Sequence, residues 1–519
     1  MKIMQLEDLV GQTLMIGFHG TEATPSVIRL FREIRAGGLI LFRRNFSSAT
    51  GFKKLISDLE EALGRRLLIA VDHEGGRVIH LAEGVTVFPD NLVLGQTGNP
   101  RDAFAQGEIE AKELRRLGLD LNLAPTLDVL TEVYSPNIGI RSYGRDPERV
   151  GRLGAARIRG MQQAGLSACA KHFPGQGHSP LDAHLGLPVL VSEPEEMERV
   201  HLKPFRAAIE AGVHTVMSSH PVYPRLDDDG VPATFSRNII HGILREALGF
   251  SGAILSDDLE MGALRNLGTI AQAAAASVRA GHDMLLICSR EDEQRAAFNG
   301  LMEAYRNGGL DMRELEQSVE RIRKLQRMRA ERFASGETVP ENEGSALAVR
   351  IAREGISKSA VKAASVFVTE LPKRKAAVIF PRLSELAGKF FIESPLMQEE
   401  KYITGLLHEA GFEAADILIA GLEPSPEEIR RAQKICEGTH PVLFFCYDAH
   451  AVSGWKKLME AVETAVAAGI IFLRDPYDGE LLVREIPFVH AFGFRQLQIE
   501  AATLALLAPN REPLDFPKR

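Results

Sequence analysis

The chain has 519 residues, 45% of them hydrophobic and 25% charged, and its 61 Lys and Arg against 69 Asp and Glu leave a net charge of −8. That length exceeds what one hydrophobic core usually spans, so two domains are expected. An acidic chain whose basic runs are short argues against a nucleic-acid surface, which needs clustered Lys and Arg, and no window approaches the roughly 20 apolar residues of a membrane span.

The start, Met1 to Val10, sets Glu7 and Asp8 ahead of any sustained apolar run and shows no small-residue cleavage site. No secretory signal is read there, and a cytoplasmic location is expected. Eight apolar runs follow, each trailed by a longer amphipathic stretch: Leu14 to Phe18, Gly38 to Phe42, Leu67 to Val71, Leu121 to Leu127, Ser167 to Ala170, Thr215 to Ser218, Gly252 to Leu255 and Met284 to Cys288. Runs that are continuous rather than alternating suit parallel strands buried on both faces, with helices as crossovers. Eight such units predict an α/β chain that opens with a (β/α)8 TIM-type barrel over residues 1–335. An open doubly wound sheet is the rival, but no Gly-x-Gly-x-x-Gly turn follows the first run, so no dinucleotide is expected.

Polar residues gather where these runs end. Asp72-His73-Glu74-Gly75-Gly76-Arg77 follows the third, Asp128 the fourth, Lys171-His172 the fifth, Ser219-His220-Pro221 the sixth and Asp257-Asp258 the seventh. Barrel enzymes build their sites from that C-terminal rim, so one site from several strand ends is predicted. Arg321 to Arg329 is the densest basic run and carries apolar residues at helical spacing, which reads as a solvated helix face.

The texture changes near Glu331. Residues 336–346 are polar, contain Gly and Pro, and read as a linker. Residues 347–519 read as a smaller α/β domain, with strands at Ala376 to Phe380, Asp416 to Ala420, Pro441 to Cys446 and Gly469 to Leu473 and a helix from Pro426 to Cys436. Its strand ends carry few polar groups beyond Asp448-Ala449-His450 and Arg474-Asp475. A scaffold role is therefore expected, and a chain cut near Gly336 should keep its chemical step. Cys169, Cys288, Cys436 and Cys446 lie far apart without Cys-x-x-Cys spacing, as buried thiols do.

The chemistry concentrates in Lys171-His172-Phe173-Pro174-Gly175-Gln176-Gly177-His178-Ser179-Pro180-Leu181-Asp182-Ala183-His184. Positions i and i+2 of an extended stretch point the same way, so Asp182 can orient His184 and favour its protonated form. Asp257 and Asp258 are adjacent and point oppositely on a strand end, so one of them faces the site. From spacing alone a helix cap at Ser256-Asp257-Asp258 stays open beside catalysis.

The Lys-His-Phe-Pro-Gly strand end, the Asp-x-His loop and Ser-Asp-Asp-Leu resemble glycoside hydrolase family 3 and, within it, the β-N-acetylglucosaminidases of peptidoglycan turnover. The resemblance spans about residues 5 to 330. It implies Asp257 as nucleophile, Asp258 as the cap, and His184 as acid/base with Asp182 as its partner, a dyad that β-glucosidases of the family lack. It further implies that Asp72 accepts hydrogen bonds from ring hydroxyls and that Arg141, Lys171 and His172 donate to them. Glu74 and Arg77 are expected to pair and hold their turn. Gln176, His178 and His73 depart from the family's commoner residues. The implied function is retaining, exo-acting hydrolysis of N-acetylglucosaminyl glycosides such as muropeptide fragments, a small carbohydrate substrate, with no metal or cofactor. A β-glucosidase or β-xylosidase is disfavoured by the dyad. A phosphorylase stays open, since histidine tolerates an incoming phosphate better than a carboxylate would. A catalytically silent binding barrel would have no use for both a nucleophile and an acid/base.

Overall fold

The computed structural model describes residues 5–131, 134–182, 186–332, 342–357 and 375–507. His184 and the first part of the expected linker, 336–341, lie outside them. Two compact units form: Met1–Glu74, Val78–Val87 and Asn99–Gly344 make the first, while Gly75–Arg77, Phe88–Gly98 and Ser345–Arg519 make the second.

The first unit is the predicted barrel. Its strands are β1 (Leu14–Ile16), β2 (Gly38–Leu41), β3 (Leu68–Val71), β4 (Leu121–Asn122), β5 (Ser167–Phe173), β6 (Thr215–Ser218), β7 (Ala253–Asp258) and β8 (Met284–Ile287). They pair in sequence order and close into a barrel, β1 meeting β8 in parallel register with Leu14 opposite Leu285. Met15, Ile40, Leu68, Leu121, Cys169, Met217, Leu255 and Leu286 fill the interior, and Ile322 and Leu325 of the helix Met312–Arg332 join that cluster. Ile322 and Leu325 are buried while Arg321 pairs with Asp283 and Arg327 with Glu320, as a helix with one apolar face requires.

Crossover helices start where the chain offers a capping side chain followed by proline. Asn99-Pro100 opens Pro100–Arg116 and Asp146-Pro147 opens Pro147–Gln163, the cap accepting a backbone N–H in each. These two helices pack through Gly107 and Gly160, where a Cβ would fall 2.3 and 2.1 Å from a carbonyl of the other helix.

Three strands, β4, β5 and β7, differ most from their apolar runs, β7 running three residues past Leu255 to Asp258. β4 ends at Asn122, and beyond it the Ala124 and Pro125 carbonyls still accept from the backbone of β5. β5 runs three residues past Ala170, since Lys171 and His172 find buried counter-charges described below.

The second unit is a parallel sheet of β9 (Lys375–Pro381), β10 (Glu413–Ala420), β11 (Val442–Tyr447), β12 (Ala468–Leu473) and β13 (Phe488–His490), in the order β10-β9-β11-β12-β13. This is the 2-1-3-4-5 order of a flavodoxin-like doubly wound sheet. β13 was not read as a strand from sequence: it is three residues long and carries a histidine. The helix Pro426–Cys436 stands where expected, with a Ser425/Glu428 capping box. A helix, Glu343–Ser357, begins inside the span read as linker. All four cysteines are buried and free. Among the described residues no helix is long and apolar enough to cross a membrane.

Candidate active site

Four strand ends of the barrel deliver charge to one place. Lys171, buried on β5, donates to Asp72 at 2.5 Å and to Glu74 at 2.7 Å, both just past β3. Glu74 also takes Arg141 at 2.8 and 2.9 Å and the Thr126 hydroxyl at 3.1 Å. The almost fully buried Glu74 carboxylate thus meets two cations, Arg141 and Lys171, that are buried beside it. Burial acts to raise the Glu74 pKa, but Arg141 and Lys171 outweigh it and hold the group well below the usual carboxylate range. The same exchange raises Lys171: burial opposes its charge, and Asp72 and Glu74 more than restore it. Asp72, Lys171, Glu74 and Arg141 therefore form a row of alternating charge, of which Asp72 is the most exposed member at 21%.

The row continues into His172. Its Nδ1 lies 2.7 Å from Asp128 and its Nε2 3.3 Å from Arg141. The carboxylate on one ring nitrogen and the guanidinium on the other fix the ring's orientation. Asp128 is fully buried and also accepts the Gln176 backbone N–H at 2.7 Å, tying β5's end to the loop that follows. Arg141 also donates to the backbone and side-chain oxygens of Asn137.

Asp257 ends β7. Burial acts to raise its pKa, yet the rings of His220 and His172, the Asp258 N–H at 2.8 Å and Lys171 turn the balance, so the carboxyl sits below its ordinary value and is held as the anion. Asp258 behaves oppositely: burial and the nearby Glu260 push it up to about 7. Its Oδ1 accepts from the backbone of Glu260 at 3.1 Å and of Cys288 at 3.3 Å, the work of a turn cap. His220 is fixed by Thr234 at 2.7 Å and by the Asp258 carbonyl at 3.0 Å. Asp72 and Asp257 both line a cleft of about 970 Å³, shared with Phe42, Met217, Met261 and Leu264. Asp258, Glu260 and Glu293 line it too, and carboxylates on a partly apolar wall suit a polyhydroxylated ring, polar at its rim and apolar on its faces.

The loop after β5 is anchored at its base. Tyr223 donates to the Gly175 carbonyl at 2.9 Å, and the buried rings of His178 and His201 lie against each other, centroids 4.2 Å apart and planes tilted by 34°. Asp182 is described and half-buried. Its expected partner His184 lies outside the described residues. Sequence reasoning gave Glu74 only a turn-holding task and named Asp128 and His220 without a role; all three were visible as polar residues closing an apolar run, but their partners Arg141, His172 and the Asp258 carbonyl lie 67, 44 and 38 positions away.

Residues 5–325 match the sequence model described as the Glycosyl hydrolase family 3 N terminal domain. The chain belongs to this family. As a family-3 member it is a glycoside hydrolase. A β-hexosaminidase of Thioalkalivibrio sulfidiphilus is 38% identical over 294 residues, 56% of this chain and 84% of that one. A β-hexosaminidase of Neisseria meningitidis serogroup C is 41% identical over 263 residues, 49% and 72% of the two chains. Among solved structures, a family-3 β-N-acetylglucosaminidase from Paenibacillus sp. str. FPU-7 superposes with a TM-score of 0.89 at 32% identity over 97% of both chains. NagZ from Neisseria gonorrhoeae, in complex with N-trifluoroacetyl-D-glucosamine, gives a TM-score of 0.55 at 32% identity over 66% of this chain and 98% of that one.

Proposed function

We propose that this family-3 enzyme is a retaining, exo-acting β-N-acetylglucosaminidase that works by double displacement. The observation that carries the reading is Asp257, a carboxylate held ionised at a barrel strand end in the wall of the cleft. An anionic carboxylate attacks the anomeric carbon, the bond to the leaving oxygen breaks, and a covalent glycosyl-enzyme forms. His184, oriented by Asp182, protonates that oxygen as it departs and then takes a proton from the water that releases the sugar. Asp72 accepts from ring hydroxyls, and Lys171 holds it in place. Arg141 and His172 support the same wall, Arg141 through Glu74 and His172 through Asp128. The names of the two β-hexosaminidases and of the Paenibacillus enzyme support N-acetylglucosamine as the sugar transferred. Muropeptide fragments bearing a terminal N-acetylglucosamine, met in the cytoplasm, are the substrates this reading assigns.

The test is release of chromophore from an aryl β-N-acetylglucosaminide against the aryl β-glucoside, each with and without phosphate. Preference for the first substrate with no phosphate requirement is expected. Faster turnover of the glucoside would overturn the sugar assignment, and phosphate-dependent release of sugar 1-phosphate would make the enzyme a phosphorylase.

A further inference from the structure

Three residues of the turn after β3, Gly75-Gly76-Arg77, belong to the second compact unit although Glu74 and Val78 on either side belong to the first. Within the second unit that turn is tightly held. Arg495, fully buried between β13 and the helix Gln496–Leu507, donates its Nε–H to the Gly76 carbonyl at 2.7 Å. The same guanidinium bonds the Phe391 carbonyl and Glu393, and its centre lies 5.6 and 5.3 Å from the rings of Phe391 and Phe494. Asp90 accepts the Arg77 N–H at 2.7 Å, and the Phe88 carbonyl accepts the Gly76 N–H at 2.8 Å. Gly75 and Gly76 adopt φ of 93° and 49°, and a Cβ on Gly76 would fall 2.0 Å from the Asp90 carboxyl carbon. Only glycine fits such a cradle.

The residue one bond upstream is the hub of the charge row. The Glu74 carbonyl accepts from Arg157 at 2.8 Å and its N–H reaches the Val78 carbonyl at 2.9 Å, so the barrel holds one flank of the turn and Arg495 the other. The Gly76 carbonyl lies two residues past Glu74, whose carboxylate shares Lys171 with Asp72.

We propose that Arg495 is a positioning residue for the sugar site: by fixing the Gly76 carbonyl it sets the Glu74 carboxylate and, through it, Lys171 and Asp72. The inference rests on the reading that Asp72 and Lys171 hold the sugar. Displacements well under 1 Å at such groups are costly to rate, because orientation supplies much of the acceleration.

The experiment is a double-mutant cycle in the full-length chain on the aryl β-N-acetylglucosaminide. Arg495→Lys keeps the charge but cannot donate to three acceptors from one planar fork; it is expected to lower kcat/KM about 10- to 100-fold while near-ultraviolet dichroism shows a folded enzyme. Combined with Glu74→Gln it should cost little more than Glu74→Gln alone, because both changes act through the same carboxylate. Additive losses, or an unchanged kcat/KM in Arg495→Lys, would overturn the proposal. Where Arg495→Lys fails to fold, Asp90→Asn takes its place in the cycle; where Glu74→Gln fails, Asp72→Asn does. If Asp72→Asn leaves kcat/KM intact, the sugar-site reading itself falls; if Asp72→Asn is crippled and Arg495→Lys is not, only the role of Arg495 falls.

Discussion

Two neighbouring aspartates on one strand end meet opposite environments, and their chemistry separates accordingly. Asp257 is pulled below its ordinary pKa, so its anion persists as pH falls and is lost only below the ordinary value near 3.8. Asp257→Ala is expected to abolish turnover with the fold intact, and a 2-deoxy-2-fluoro or 5-fluoro sugar should label the peptide that contains it, read by mass spectrometry; full activity in Asp257→Ala would end the assignment. An acid limb of kcat above about pH 4 must then belong to another group. Asp258, raised to about 7, holds its proton more tightly folded than unfolded. The stability it contributes is complete below pH 3.8 and is lost as pH rises toward 7. Asp258→Asn keeps an oxygen for the Glu260 and Cys288 N–H groups and drops the charge, so by urea denaturation it should match or exceed wild type at pH 8. Asp258→Ala loses both bonds and should cost about 1–3 kcal/mol. For His184, replacement by Ala should slow substrates with poor leaving groups about 10²- to 10⁴-fold while activated phenols are largely spared; equal slowing of both series would return His184 to an ordinary loop residue.

At the scale of elements, the loop after β5 rests on two mutually packed histidines that are neutral in the folded protein. Burial lowers His178 to about 4; burial and the nearness of His178 lower His201 to about 3, against the pull of Asp128 on both. A histidine depressed in the native state binds fewer protons there than in the unfolded chain, so stability is lost as pH falls below the unfolded value near 6.5. The His201→Phe variant removes one of the two groups. Its urea midpoint should therefore fall less steeply than wild type between pH 6.5 and 4.5, and parallel profiles would show the pair to be solvated. Strand positions were legible because a buried parallel strand has to be continuously apolar, and β1, β2, β3, β6 and β8 fall inside their runs. Ends were less so. Lys171 and His172 read as the start of a loop, since nothing local reveals that Asp72, Glu74 and Asp128 wait to neutralise them inside the barrel. The same limit hid a partner of Glu74: Arg141 is 67 residues away and meets it only once the barrel closes. Residue types at the rim could be named from one sequence; which cation serves which anion depends on the closed fold.

On the scale of the whole molecule, the expectation that the barrel could be cut free near Gly336 meets the fact that Gly75–Arg77 and Phe88–Gly98 belong to the second unit. The helix Asn91–Thr97 lies so close to the helix Glu343–Ser357 that a Cβ on Gly355 would sit 2.3 Å from the Val93 carbonyl. A chain ending at Gly344 leaves both stretches without their partners. Such a fragment, tested by circular dichroism and turnover of the aryl β-N-acetylglucosaminide, is expected to keep barrel secondary structure and lose most of its activity. Activity equal to the full chain would show that the barrel builds its β3 turn alone.

The bond between Gly76 and Arg495 joins positions 419 residues apart. On a ribosome adding about 5–20 residues per second, the first of these emerges tens of seconds before the second exists. All eight barrel strands are complete by Ile287, so the barrel can close while its third βα loop still lacks its clasp. On the role proposed for Arg495, the enzyme is finished in two acts, and a nascent barrel is expected to gain its full rate only after Arg495 has been added.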